Sequence, residues 1–148
     1  MLLWSKPMQI KQIESAAEIA STFAVMHELR PALVEAEYVA QIQRMIERDG
    51  YRMAAVMVDG QVQAVAGYRF MEMLYAGMLL YVDDLITSAS QRSSGHGKAL
   101  LDWLKAEAKA QGCNELHLDS GVHREQAHKF YFREGLTISA YHFRIALN

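Results

Sequence analysis

Arg92-Ser93-Ser94-Gly95-His96-Gly97-Lys98 joins an apolar stretch, residues 78–87, to an amphipathic one, residues 97–111. The first reads as a buried strand broken by Asp83 and Asp84. The second carries Leu101, Leu104 and Ala108 on one side and reads as a helix with Gly112 as its cap. A chain that passes from strand to helix through two glycines can aim several backbone N–H groups one way, beside the positive end of the helix dipole. Gly95 and Gly97 keep β-carbons out of an anion's path. The segment therefore fits a pyrophosphate cradle, and the same residues also serve an ordinary strand-to-helix turn. Two other phosphate loops are excluded by spacing. A Walker A loop needs Gly five positions before Gly97 and Ser or Thr after the lysine, where this chain has Arg92 and Ala99. A dinucleotide fingerprint needs Gly or Ala three positions after Gly97, where this chain has Leu100.

Upstream, residues 8–13 alternate weakly and read as a first strand. Ser15 caps the next helix, with Glu18 as the other half of a capping box. Ile19, Phe23 and Met26 recur on one helical face, and Pro31 ends that helix or starts the next. Tyr38, Ile42, Met45 and Ile46 share a face of a second helix that ends near Asp49-Gly50. Residues 51–58 and 61–70 read as a hairpin around Asp59-Gly60, because both turn positions tolerate positive φ. Downstream, 115–119 is a short strand and 123–134 a helix closed by Gly135. Residues 136–147 alternate and read as one or two final strands. The order β-α-α-β-β-β-α-β-α-β is an α/β or α+β mixture, an antiparallel meander followed by βαβ-type crossovers. With no repeat, low-complexity run or linker, residues 1–148 read as one domain.

Composition narrows the function classes. The chain has 148 residues, 51% hydrophobic and 22% charged, enough for one core and too apolar for wholesale disorder. A net charge of −2 argues against a dedicated nucleic-acid binder. The lone Cys113 excludes an intramolecular disulfide and a cysteine-rich metal site, and suits a reducing cytosol. The apolar stretches are too short to cross a bilayer, and the opening Met1-Leu2-Leu3-Trp4-Ser5-Lys6-Pro7 lacks the pattern of a secretory signal. A cytoplasmic protein without a membrane partner is expected. The 6 histidines form no compact ligand spacing, so no metal is expected, and no Gly-x-Ser-x-Gly elbow occurs.

Arg-x-x-Gly-x-Gly between a strand and a helix is similar to the acetyl-CoA pyrophosphate loop of the GCN5-related N-acetyltransferase (GNAT) superfamily. Ala127-His128-Lys129-Phe130-Tyr131-Phe132-Arg133-Glu134-Gly135-Leu136 resembles that family's Ala-x-x-Phe-Tyr-x-x-x-Gly-Phe/Leu helix, and the interval between the two elements agrees. The resemblance is strong over 79–136 and rests on element order before that. It implies a mixed, mostly antiparallel sheet flanked by about four helices, with a splayed central pair of strands. It also implies an enzyme that moves an acetyl group from acetyl-CoA, as cosubstrate, to a primary amine by direct attack in a ternary complex.

Carried over residue by residue, the resemblance implies that Leu85, Ile86 and Thr87 pair with the pantetheine arm as an added strand would. One amide there would polarise the thioester carbonyl. The amides of Arg92, Ser93, Ser94, Gly95, His96, Gly97 and Lys98 would hold the pyrophosphate. Tyr131 falls where the family often has its general acid; a phenol with a pKa of about 10 can serve a thiolate whose conjugate acid is near 8.5. On residue type alone Tyr131 also suits a core aromatic. The attacking amine must shed a proton, and Asp83 is the first choice of base, with Asp84 and Asp119 ranked lower and a water chain as a substitute. Asp83 and Asp84 also suit a strand edge or an arginine partner. The chain departs from the family at Ser93, for the first loop glycine, at Arg124, for an asparagine, and at Ala89, for a proline.

The acceptor, a small-molecule amine or a protein amine, is expected to meet residues 15–49 and the 70–78 loop. A homodimer through the terminal strands is compatible with this fold. A second class of function is a non-catalytic acyl-CoA-binding or sensor module of the same fold. It would keep the 92–98 loop without needing Tyr131 or an acid in the cleft.

Overall fold

The computed structural model describes residues 7–92 and 94–148. Asp59 and Gly60 adopt φ of 51° and 72°, so β2 (Arg52–Val58) folds straight back on β3 (Gln61–Met73). A turn with two positive φ values matches the right-handed twist of the strands it joins. β4 (Gly77–Thr87) returns antiparallel along β3, and β1 (Met8–Ile13) lies antiparallel on the other side of β2. With β5 (Glu115–Leu118) the sheet order is β1-β2-β3-β4-β5.

The sheet is covered on both faces. Ala54, Ala55 and Val56 are consecutive in β2 and all fully buried. Successive strand residues point to opposite faces, so burial of three in a row requires cover on each. Three helices, α1 (Ala16–Ser21), α2 (Phe23–Leu29) and α3 (Glu35–Asp49), pack Ile19, Met26, Tyr38 and Ile42 onto Met53, Ala55 and Val65. α4 (His96–Ala110) buries Leu100, Leu101 and Leu104 and packs on β2, β3 and β4. Each of these leucines contributes about 1.5–3 kcal/mol by leaving water.

The capping box forms as expected. Glu18 N–H donates to Ser15 Oγ at 3.1 Å, and Ser15 N–H donates to Glu18 Oε1 at 2.9 Å. The Glu18 carboxyl is held down at about 2, first by Lys11 and then by the amides of Ser15 and Glu14. The single helix expected from 15 to about 30 is instead two. At Thr22 the side-chain hydroxyl donates to Ile19 O at 2.7 Å and so must accept from the Tyr38 hydroxyl, also at 2.7 Å. A hydroxyl that bonds back onto its own helix competes with the helical ladder and bends it.

The chain divides into two compact units, residues up to His117 and Leu118–Asn148. The second contains α5 (Glu125–Arg133), after which Gly135 adopts φ of 90°. The strands expected over 136–147 do not form. The alternation is real, but a strand exists only where a neighbour accepts its ladder, and this segment has none among the described residues. Tyr141, Phe143, Ile145 and Leu147 are instead 83–94% exposed.

Candidate active site

β4 does not run regularly. Gly67 lies opposite Asp84 and Tyr68 opposite Val82, so Asp83 is an extra residue bulged out of register. Bulges re-aim side chains and are common beside active sites. Here the two acids go to different partners. Arg69 holds Asp83 through two bonds, Nε to Oδ1 at 3.0 Å and Nη2 to Oδ2 at 2.5 Å. Asp84 accepts from the Tyr51 hydroxyl at 2.8 Å and from Arg30 Nε at 2.9 Å, and Arg30 Nη2 also donates to the Asp83 carbonyl at 3.0 Å. The end of α2 thus pins the bulge. Glu28, also on α2, accepts the Ala89 N–H at 2.8 Å, just beyond β4.

Neither Arg30, Arg69, Glu28 nor Tyr51 stood out in the sequence. One signal was there: Gly67 sits inside an otherwise apolar strand, a mark of a bulge or a close approach. A β-carbon built at Gly67 would land on the Tyr51 phenol, which crosses the strand at that point. Burial, followed by the Asp84 charge, pushes the Tyr51 hydroxyl well above the ordinary tyrosine range. In the unfolded chain the group ionises near pH 10, while the folded chain keeps the proton. Stability is therefore complete below pH 10 and falls above it, by about 1.4 kcal/mol per pH unit for this residue. Urea melts between pH 8 and 11 are expected to show that fall, and Tyr51→Phe is expected to flatten the slope.

Beyond the bulge, Thr87, Ile86 and Leu85 pair on one side with Ala64, Val65 and Ala66 of β3. The other side belongs to β5, which has 4 residues against 11 in β4. Their junction is near the start of β4, where Asn114 N–H donates to Met78 O at 2.8 Å. Four residues reach only about 13 Å, so β5 does not run alongside 85–87. Main-chain groups there face the position of an added strand.

The chain then passes through a 3-10 turn, Ala89–Gln91, into α4. Ser93 lies outside the described residues. Gly95 precedes the helix at φ 81° and ψ 4°, and among the described residues no side chain caps the helix start. That left-handed conformation favours glycine, and a β-carbon there would meet nothing within 4 Å. The first-turn amides, from His96 onward, have no carbonyl of their own helix to pair with. They are suited to an anion, as the loop composition implied. Lys98 pairs with Asp102 at 3.0 Å, so its charge is drawn along the helix. His96 is buried with its Nδ1 unpartnered among the described residues. These features fit the pyrophosphate of a coenzyme: an open main-chain cradle with an uncapped helix start.

Tyr131 belongs to the second unit. It is buried on α5 beside Phe130, whose ring centroid is 5.5 Å away. Burial pushes its hydroxyl above the ordinary tyrosine range, while the positive charge of Arg124 pulls the other way. Asp119 pairs with His142 at 3.1 Å in the same unit. Among the described residues no three His, Cys, Asp or Glu side chains cluster as a metal site would require, and no helix is long and apolar enough to cross a membrane.

Comparison with known proteins bears on the fold and the family. The profile of the acetyltransferase (GNAT) family matches residues 15–135. The uncharacterized N-acetyltransferase YhdJ of Bacillus subtilis is 33% identical over 138 residues, covering 93% of this chain and 97% of YhdJ. The aminoalkylphosphonate N-acetyltransferase of Salmonella typhimurium is 30% identical over 98 residues, 66% of this chain and 62% of that protein. Among solved structures, the aminoglycoside N-acetyltransferase AAC(6')-Iy in complex with CoA shares the fold with a TM-score of 0.85 at 15% identity, over 99% of this chain and 98% of that one. The α/β fold and the matched span lead to one conclusion: this chain belongs to the GNAT acetyltransferase family.

Proposed function

We propose that the chain is a single-domain, cytoplasmic, acetyl-CoA-dependent N-acetyltransferase that acetylates a primary amine by direct attack. The observation that carries this is the passage from β4 to α4: a strand end beyond the reach of β5, an open Gly95 turn and an uncapped helix start. Leu85, Ile86 and Thr87 hold the pantetheine arm by main-chain bonds, and 92–98 hold the pyrophosphate. Bound acetyl-CoA supplies an activated thioester. A main-chain N–H of the 85–87 segment polarises its carbonyl, and Tyr131 hands a proton to the departing thiolate. Of the three acids Asp83 is the first choice to accept the amine's proton, directly or through water, and its displacement from the β4 register supports that reading. Arg69 then sets its orientation, as Arg30 and Tyr51 set that of Asp84.

The acceptors named for two relatives, an aminoalkylphosphonate and an aminoglycoside, are the first amines to try, beside a polyamine and a lysine peptide. The test is thiol release from acetyl-CoA with this panel. Amine-dependent release of CoA, matched by amide formed, is expected. Tight acetyl-CoA binding with no release from any amine would instead favour the binding or sensor module.

A further inference from the structure

Where β1 ends and β2 begins, the sheet carries a cavity of about 400 Å³. That volume suits a small ligand, at the lower end of the range for such sites. Four polar side chains line it: Gln12, Glu14, Arg52 and Tyr68. Arg52 lies directly opposite Tyr68, and Gln12 lies opposite Ala54, two residues on from Arg52. Strand alternation therefore places Gln12, Arg52 and Tyr68 on one face. Ile13 pairs with Met53, so Glu14, the next residue, falls beside Arg52. Ile13, Ile46 and Met53 supply the apolar wall.

The polar groups have bonds to spare. Tyr68 is fully buried, and its hydroxyl accepts from Gln12 Nε2 at 3.5 Å, the outer limit of a hydrogen bond. The phenol's own proton has no acceptor among the described residues. Buried hydroxyls are normally satisfied, so the exception points to a missing partner. Arg52 and Glu14 sit side by side with opposite charge, yet among the described residues they form no ion pair. The guanidinium instead lies over the Phe70 ring, 5.1 Å from its centroid. Phe70 and Trp103 meet the Tyr68 ring edge-on, each at 6.0 Å between centroids. Arg52 and Tyr68 are thus fixed before any ligand arrives, which lowers the cost of ordering them on binding.

We propose that this cavity is a second ligand site and that it takes a free α-amino acid with an apolar side chain. A carboxylate matches the Arg52 guanidinium and the spare O–H of Tyr68. An ammonium matches Glu14. The apolar side chain then lies on Ile13, Ile46 and Met53. A plain carboxylic acid would set a second anion beside Glu14, and a plain amine would leave Arg52 and Tyr68 unmatched. The site is separate from acetyl transfer. β3 stands between it and β4. Tyr68 is also four residues along β3 from Ala64, the partner of Thr87, a distance of about 13 Å. The amine held beside Glu14 is therefore not the one acetylated.

Titration of the ¹⁵N-labelled chain with L-leucine, L-methionine and L-phenylalanine, in the absence of acetyl-CoA, tests this. Saturable binding of at least one is expected below about 10 mM. The amides of residues 12–14, 52, 53 and 68 are expected to shift, and those of 85–87 to stay still. The same molecule without its amine, or without its carboxylate, is expected to bind about tenfold more weakly or worse, because each loses a charge-assisted contact. For leucine these are 4-methylpentanoate and 3-methylbutylamine. Arg52→Gln is expected to weaken the amino acid by a similar factor, and Glu14→Gln to bring the amine-free analogue level with it. Both residues are exposed, so both variants should fold; if one does not, the shifts and the analogues in the unaltered chain decide. No binding by any of the three, analogues that bind as tightly as the amino acid, folded variants that bind unchanged, or shifts centred on 85–87 would overturn the proposal.

Discussion

Tyr131→Phe is expected to lower kcat by about 100-fold or more while leaving the KM for acetyl-CoA within a few-fold. Positioned proton transfer contributes about 10²–10⁴-fold to a rate, and the substitution removes only the proton and its oxygen. The ring remains, so the contact with Phe130 and most of the packing survive. Burial, which holds the hydroxyl protonated beyond its ordinary range, suits it to donation. Steady-state kinetics with the best acceptor amine check this. Unchanged turnover in Tyr131→Phe would remove the residue from the proton path and restore the purely structural role that residue type alone also allows.

Gly67→Ala is expected to destabilise the protein by about 3 kcal/mol, at the upper end of ordinary overpacking. The new β-carbon would displace the Tyr51 phenol from its passage across β3. That displacement also breaks the bond to Asp84, which then keeps its bond from Arg30. Tyr51→Phe in the same background relieves only part of the strain, because the ring carbons still crowd the site. Denaturant melts of both variants measure this. A Gly67→Ala protein within 1 kcal/mol of the parent would show that the close approach carries no energetic weight.

What was legible in the sequence was local. Asp59-Gly60 makes a hairpin because two adjacent residues tolerate positive φ, and Ser15 with Glu18 caps a helix within one turn. The turn into α4 at Gly95 was legible for the same reason: a glycine and a helix start act on the backbone within a few residues. The break at Thr22 was not, because it depends on Tyr38, 16 residues on. The bulge at Asp83 depends on Gly67 and Arg69 in β3, on Tyr51 just before β2 and on Arg30 at the end of α2. No spacing rule brings those together. Residues 136–147 lie between these cases. Their period of two was visible, but period specifies only which side chains share a face, and the neighbour that makes a strand is not encoded beside it.

The rest depends on one premise, that the coenzyme is held by main-chain groups along 85–87 and the start of α4. An ¹⁵N-labelled sample titrated with CoA, which has no acetyl group to lose, reads those groups one by one. The amides of Ile86, Thr87, Gly95, His96 and Gly97 are predicted to shift most, with Met8–Ile13 at the far edge of the sheet nearly still. Saturable binding that leaves 85–98 unmoved and shifts another part of the chain would contradict it.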